Sequence, residues 1–399
     1  MIRENAIKIL GEGYVCDHCL GRQFAKLLSG YSNDERGRMI RGFLAMEYEI
    51  KPFGIDTSNL YGFDFRKRET IKRKPGKCMV CRGLFDELPK LADQATKILK
   101  GLDFERFMVG VKMSDSLAMA EESLWEKAGI AYCEPIKYEI NREMGKLIEK
   151  KMGKIPDENR PEVIILIDLQ KRRIETSINP IYVYGEYKKL VRGIPQTRLR
   201  GYKETVEDII ARPLLMVTKG FSHKLHACGR EDKQARCLDW RPFILEIDQP
   251  LKRRINLKDA EGKINKDKRI KVKGLRYSSR KEIVEMKKKR IEKVYKLIAN
   301  FERPVRNITR VKKIVGVVNQ KTPDRLLPRQ SDKLRHKKVK SIRWKKINTK
   351  TYEFHIHTEA GLYINELVSG DKGRTKPSVS EILENQGKLK EFDVLKIIV

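Results

Sequence analysis

HACGREDKQARCLDWRPF, spanning His226–Phe243, is the stretch from which the rest of the chain can be read. A glycine precedes Arg230, Glu231 and Asp232, and Trp240-Arg241-Pro242-Phe243 follows closely. The apolar runs on either side, LLMVT (Leu214–Thr218) and PFILEID (Pro242–Asp248), read as strands, which puts Asp232 on the loop between them. A lone carboxylate on such a loop ordinarily closes the turn by accepting a nearby backbone N–H. Whether it does more depends on what the remainder of the chain brings to it.

The 399 residues suffice for two or three domains with real cores, and a hydrophobic share of 40% excludes a disordered tail protein. A net charge of +33 is far more than solubility needs. It sets up a field that attracts polyanions, and each Lys or Arg contact to phosphate releases counterions, so nucleic acid is the leading partner class. An anionic membrane is the rival, but no apolar run approaches the ~18 residues needed to cross a bilayer. Met1-Ile2-Arg3-Glu4-Asn5 opens an ordinary amphipathic segment rather than a leader. The expectation is a cytoplasmic protein, or a nuclear one in a eukaryote, without membrane association.

Seven cysteines in a reducing compartment argue against a disulfide frame. Four pair by spacing, as Cys16-Asp-His-Cys19 and Cys78-Met-Val-Cys81. Two such knuckles bring four thiolates within tetrahedral reach of one structural Zn²⁺, since four sulfurs leave no open position for chemistry. His18 is a poorer ligand candidate, and Cys133, Cys228 and Cys237 read as buried small hydrophobes.

The composition divides the chain into residues 1–100, a helical, knuckled zinc-binding region; 101–195, an α/β RNA-binding module; and 196–399, a strongly basic part with several strands, which the resemblance given below makes a catalytic domain with a mixed, largely antiparallel sheet. In the first part, helices are predicted over Gly21–Leu28 and Asp34–Tyr48, with Cys78–Cys81 in the loop RKPGKCMVCRG. In the second, Phe107–Met113 reads as a strand, Ser114–Lys127 and Tyr138–Met152 as helices, and Glu162–Leu169 as a covered strand. RRIETSI and PIYVYGEYKKL continue that sheet, and the order of elements resembles a THUMP domain, an RNA-docking module of tRNA-modifying enzymes.

After the linker Gly193–Gln196, Thr205 and Asp208 form a capping box for a short helix. Strands are predicted at Val294–Ala299, Val311–Val318, Tyr352–Thr358 and Val394–Val399. Charge runs at Lys252-Arg253-Arg254, Lys266–Lys273, Lys287–Arg290 and Lys333–Lys346 favour an RNA track, with Lys252, Arg253, Arg254, Lys337, Lys338, Arg343, Lys345, Arg374 and Lys376 as the contacting cations. No GxGxxG, Walker loop, HExxH or nucleophile elbow occurs, so nucleotide-cofactor and serine-hydrolase chemistry lack their carriers.

Several segments together resemble one family. Gly229-Arg230-Glu231-Asp232 resembles the G-R-x-D segment that carries the catalytic aspartate of pseudouridine synthases. GLYINELVSGDKGRTKPS (Gly361–Ser378), IEKVYKLIANFERPV (Ile291–Val305) and NQKTPDRL (Asn319–Leu326) are similar to signatures of the tRNA pseudouridine synthases called the Pus-ten family. The resemblance covers nearly the whole chain. It implies isomerisation of uridine to pseudouridine in the TΨC arm of tRNA, at positions fifty-four, fifty-five or both. Tied to it are a structural zinc, no organic or nucleotide cofactor, and an enzyme that is monomeric on RNA. It further implies Asp232 as nucleophile, Tyr295 stacking on the uracil and handling a proton, Arg230 assisting base flipping or holding a phosphate, and Leu367 flooring the pocket.

The chain departs from the family where a second Asp becomes Gln234, where Gly-x-Gly-Arg-Pro-Phe shortens to Asp239–Phe243, where Pro328–Asp332 replaces a more basic segment, and where a lysine becomes Asn365. In related synthases that basic residue pairs with the catalytic carboxylate. Arg236, Arg241 and Lys372 are the candidates to replace it; if none does, the alternative is a catalytically weak or inactive tRNA-binding or folding relative. Another THUMP enzyme, a methyltransferase or thiouridine synthase, would need a cofactor loop that is missing.

Overall fold

The computed structural model describes residues 1–66, 76–289 and 291–398. Arg290, Val399 and residues 73–75 of the loop before Cys78 lie outside these. The chain folds as two compact units, Met1–Asn179 and Pro180–Val399.

In the first unit, helices α1 (Ile2–Gly11), α2 (Asp17–Gly21), α3 (Asn33–Ile50) and α4 (Leu84–Leu99) precede β1 (Arg106–Lys112), α5 (Asp115–Ala128), α6 (Ile136–Met152), β2 (Ile155–Pro156), β3 (Val163–Asp168) and β4 (Arg173–Ile178). The four strands form one sheet in the order β2-β1-β3-β4, parallel except for the β3–β4 hairpin. Ser114 caps α5 through the Leu117 N–H, and Ser32 with Glu35 forms a capping box on α3. α6 buries Ile136, Ile140, Met144 and Ile148, the i, i+4 stripe of a helix lying on a sheet. Where a helix over Gly21–Leu28 is expected, the chain instead forms the short α2 and a 3-10 turn, Arg22–Phe24. The cause is close packing: a Cβ on Gly21 would lie 1.8 Å from the Asn33 carbonyl oxygen, so α2 ends against α3.

The second unit runs β5 (Ile181–Lys189), α7 (Val206–Thr218), β6 (Ser222–Ala227), β7 (Arg236–Asp248), α8 (Leu257–Ile264), β8 (Ile270–Ser278), α9 (Arg280–Lys288), β9 (Glu292–Phe301), β10 (Gly316–Gln320), β11 (Arg335–Lys346), β12 (Thr351–Thr358), α10 (Ile364–Ser369), β13 (Thr375–Lys376), α11 (Val379–Leu383) and β14 (Gly387–Ile398). One ten-stranded sheet has the order β13-β10-β11-β12-β9-β14-β7-β5-β8, with β6 also on β7. All pairings but one are antiparallel. The exception is β7–β14, parallel and only two residue pairs long, Arg236↔Asp393 and Val394↔Cys237. Two apolar clusters cover the sheet, and one of them reaches across this short joint, joining Cys237 and Ile244 of β7 to Tyr295 and Leu297 of β9.

Three expectations are corrected here. LLMVT is not a strand but the end of α7, which the Thr205–Asp208 capping box starts and whose buried Val206, Ile209, Ile210 and Leu214 keep helical spacing. That 3.6-residue period outweighs a short apolar run, and the strand before Asp232 is β6. PIYVYGEYKKL belongs to the second unit, antiparallel to β7 and β8, so the division falls at Asn179/Pro180 and not near residue 195. Much of the run Val311–Val318 is a 3-10 stretch, Ile308–Ile314, before β10.

Candidate active site and metal centre

Asp232 sits half-buried on the β6–β7 loop, at the joint between the two halves of the sheet. Its Oδ1 accepts the Gln234 N–H at 2.9 Å, closing a turn. Oδ2 accepts no hydrogen bond among the described residues. The turn thus uses the backbone of Gln234, whatever its side chain.

What surrounds the loop is unusual for a turn. Its carbonyls are held one after another by side chains from below: Cys228 by Arg241 Nη1 at 3.0 Å, Gly229 by Gln196 Nε2 at 3.2 Å, and Arg230 by Lys293 Nζ at 3.0 Å. Lys189 Nζ donates to the carbonyls of Asp232 and Lys233 at 3.1 and 3.3 Å, and Arg192 Nη1 to that of Gln234 at 3.0 Å. Buried cations need a counter-charge, and Glu231 provides it. Its side chain is fully buried, accepts the Tyr187 hydroxyl at 3.1 Å, and lies 3.8 Å from Lys189 Nζ and 3.5 Å from Arg241 Nη2. Gly229 has φ +77°, and a Cβ there would meet Ile291 Cδ1 at 2.5 Å, so only glycine fits between loop and β9. The backbone on either side of Asp232 is therefore pinned.

β9 brings Tyr295 to this loop. Lys293 and Tyr295 alternate on the buried face of the strand, roughly 7 Å apart at ordinary rise, so the lysine on the Arg230 carbonyl places the ring one step further along. Tyr295 is 7% exposed, with its ring centroid 6.4 Å from that of Phe392, and burial raises its pKa above the usual tyrosine value. Arg230 itself is exposed. Leu367 is fully buried on α10, in the same apolar cluster as Tyr295.

Burial, and then repulsion from Arg241, push the Lys293 pKa down to about 8. Between that value and the ordinary 10.5 the unfolded chain binds more protons than the folded one, so stability rises with pH across this window. The penalty of a charged, buried Lys293 is in full force below about pH 8. Lys293→Met is expected to remove on the order of 3 kcal/mol of that rise, at about 1.4 kcal/mol per pKa unit. The check is the urea midpoint of the protein and the variant at pH 7.5 and 10; parallel shifts would contradict it.

None of the three cations expected to replace a lysine at 365 faces Asp232. Arg236 makes a two-bond pair with Asp393, at 3.0 and 2.6 Å, bracing the β7–β14 joint. Arg241 is committed to Glu231 and the Cys228 carbonyl, and Lys372 pairs with Asp324 at 3.1 Å. Lys189, which also holds the Asp232 carbonyl, lies within the field of Asp232, and so does Arg325. Its Nε donates to Glu366 Oε1 at 2.8 Å, which ties it to α10 beside Asn365. Burial works to lower its pKa, but Glu366, Asp232 and Tyr363 together raise it.

The expected RNA-contacting cations divide into two places. Lys338, Arg343 and Lys345 are exposed on β11 and Lys376 on β13; Lys337, half-buried, would touch a Cβ at Gly361 with its amine at 3.5 Å. Arg374 is paired with Asp332. Lys252 and Arg254 are exposed after the far end of β7, on the order of 40 Å along the strand from its start at Arg236. Arg253 is buried, with Nη2 donating to the Pro180 carbonyl at 3.4 Å.

In the first unit, Cys16 caps α2 and Cys19 lies within it, while Cys78 and Cys81 immediately precede α4. The four Sγ atoms all lie within 4.8 Å of one another, and Cys16 Sγ is 3.6 Å from Cys81 Sγ. A tetrahedral ion with sulfurs at about 2.3 Å requires sulfur–sulfur separations near 3.8 Å, whereas a disulfide requires about 2.0 Å. All seven cysteines are free thiols, so the knuckles fit a metal rather than a bridge. Arg22 Nη1, fully buried, donates to Cys19 Sγ at 3.4 Å, a partner suited to a thiolate. His18 is outside the group; its Nδ1 is 2.8 Å from Glu139 Oε1 and its ring stacks on Phe85 at 4.1 Å.

Residues 182–398 match the family model for the Pus10 C-terminal region, and residues 91–168 that for the archaeal Pus10 THUMP domain. The chain belongs to the Pus10 family. It is 38% identical to the tRNA pseudouridine synthase Pus10 of Pyrococcus furiosus, over all of this chain and 98% of that one. The protein of the same name from Methanothrix thermoacetophila is 35% identical, over 98% of this chain and 93% of its own. Among solved structures, a chain of a Cbf5-Nop10-Gar1 complex has a TM-score of 0.30 at 15% identity, covering 52% of this chain and 47% of its own. The Pus10 C-terminal match begins two residues beyond the Asn179/Pro180 boundary, so the family and the fold divide the chain at the same place. The Pus10 THUMP match ends within the first unit's sheet, which leaves β5 out of that module as the strand pairing does.

Sequence reasoning missed Glu231, Lys189, Lys293 and Arg325 as parts of this site. Two of them carried a signal. Lys189 follows Val183 and Tyr187 on the buried face of β5, and Lys293 shares a face with Tyr295 and Leu297; a lysine where period two demands an apolar residue needs a buried partner.

Proposed function

We propose that the chain isomerises uridine to pseudouridine in the TΨC arm of tRNA, at positions fifty-four, fifty-five or both, with Asp232 as nucleophile. The observation that carries this reading is the Asp232 carboxylate itself, one oxygen closing a turn and the other without a bond among the described residues, on a loop whose backbone is held by buried cations. In the reaction the N1–C1′ bond breaks, the uracil turns, and C5 bonds to C1′. The C5 proton leaves and N1 gains one, so the step balances without redox chemistry or an organic cofactor. Extruding the target base costs a few kcal/mol, which an aromatic partner helps to offset. Tyr295 supplies that ring, and Arg230, exposed on the loop, is free to fill the vacated stack or hold a phosphate. Leu367 closes the apolar floor. The four thiolates of Cys16, Cys19, Cys78 and Cys81 would hold one Zn²⁺; with no open position, it cross-links the knuckles and takes no part in catalysis.

Release of tritium from a tRNA transcript labelled at uridine C5 tests the reaction, and mapping of the product assigns the position. Bound RNA with no release would favour the catalytically silent tRNA-binding relative that Asn365 first suggests. Arg325, bonded to Glu366 next to Asn365 and within the field of Asp232, counts against that outcome. Arg325→Ala is expected to slow single-turnover pseudouridine formation about 100-fold, as removal of one preorganised charge does, with Arg325→Lys partly restoring it. Equal rates for the protein and Arg325→Ala would remove this role.

A further inference from the structure

The segment before α7 and the exposed side of that helix line an open surface cleft of about 790 Å³ that the chemistry above does not use. Its size is that of a small-ligand site. Three of its lining side chains, Arg198, Arg200 and Lys203, are exposed cations without a carboxylate partner among the described residues. Tyr202 and Met216, the latter 75% exposed, give it an aromatic and an apolar wall. The remaining feature is His223 on β6, whose side chain is 7% exposed yet lines the cleft. Its Nδ1 is 3.3 Å from Glu207 Oε1, and its Nε2 is 3.7 Å from Asp208 Oδ1. Neither approach is a hydrogen bond; Nδ1 is buried against Glu207, so Nε2, beside the cleft-lining Asp208, is the nitrogen open to a ligand. An imidazole with an unsatisfied nitrogen is a recognition group awaiting a polar edge.

The cleft is joined to the candidate active site. Lys233, the residue after Asp232, places Nζ 4.9 Å from the Tyr202 ring centroid. The Gly193 N–H donates to the Lys233 carbonyl at 2.8 Å, so the chain leading to the cleft is stitched to the same loop. It is nevertheless not the uridine pocket: α7 packs in one apolar cluster and Tyr295 in the other.

We propose that this cleft is a second nucleotide pocket, which seats one unstacked nucleotide of the RNA substrate beside the one that reacts. Phosphates lie on Arg198, Arg200 and Lys203, the base packs against Tyr202 and Met216, and His223 hydrogen-bonds its edge. Charge complementarity and continuity with the Asp232 loop select RNA as the occupant, and in this the proposal rests on the reading of the chain as an RNA-modifying enzyme. Aromatic and apolar walls distinguish the pocket from a bare phosphate track, because base stacking on a side chain is worth about 1–3 kcal/mol.

A photoreactive benzophenone amino acid in place of Met216 in the full chain, irradiated with a tRNA transcript, is expected to cross-link one nucleotide other than the modified uridine. The triple variant Arg198→Ala/Arg200→Ala/Lys203→Ala is expected to bind tRNA at least about tenfold more weakly. Its slope of log K against log salt should be smaller by about 2, three single-strand phosphates contributing about 0.7 each. An unchanged melting temperature of this surface variant excludes loss of fold as the cause. An unchanged slope, or absence of a cross-link at 216, overturns the proposal; so does a cross-link that polyglutamate competes better than tRNA, which would make the cleft a protein-docking site. Cross-link and slope are read without turnover. If they appear as expected while no uridine is isomerised, the activity reading fails and the pocket stands; if uridine is isomerised and the slope is unchanged, the reverse holds.

Discussion

Asp232→Asn is expected to lower pseudouridine formation by at least about 10⁴-fold, the scale on which removal of a nucleophile acts. The substitution is a clean one in this structure. The amide oxygen of asparagine still accepts the Gln234 N–H that Oδ1 accepts now, and the carbonyls of the loop stay in the grip of Lys189, Lys293 and Arg241. Only the negative charge is lost, so tRNA affinity and melting temperature should persist while tritium release from C5 stops. A variant that turns over as fast as the protein would transfer the chemistry to another group, and with it the account of why this loop is so rigidly held.

The second large effect concerns the first unit. Changing Cys16 and Cys78 to Ser takes one sulfur from each knuckle, and metal analysis is expected to show the content falling from one equivalent of zinc to none. Structural zinc contributes about 10 kcal/mol or more to small knuckled folds, so the Met1–Asn179 unit should lose its cooperative thermal transition. The Pro180–Val399 unit has its own sheet and its own apolar clusters, none of which includes a knuckle cysteine. Its transition should therefore remain. Full zinc in the double variant would mean that the four sulfurs do not share one ion.

The sequence was most legible where one period ran undisturbed. Strand β1, helix α6 and strand β3 were each readable to within about two residues, because apolar spacing of 2 or 3.6 persists along β1 and α6, with Ser114 and Gly153 after them, and β3 is one continuous apolar run. It was least legible where two cues competed. LLMVT satisfies a strand pattern within five residues, but the helix starts eight residues earlier at a capping box, and only the longer window shows the period continuing through Pro213. PIYVYGEYKKL alternates as a strand must, but alternation does not say which sheet a strand joins; that is set by β7 and β8, which come later in the chain.

By itself the sequence determined the chemistry available: a loop carboxylate at 232, four thiols in two pairs, a tyrosine at 295, and a charge of +33 that calls for a polyanion. These follow from residue type and short spacing, which need no folded chain to be read. The tertiary structure alone decided which groups act together. It committed Arg236, Arg241 and Lys372 to other carboxylates, and it made Glu231 the buried counter-charge of a cluster that holds the loop. The physical reason is that an ion pair or a carbonyl clamp is decided by distances of about 3 Å between groups far apart in the chain, set by strand order and register rather than by any local pattern.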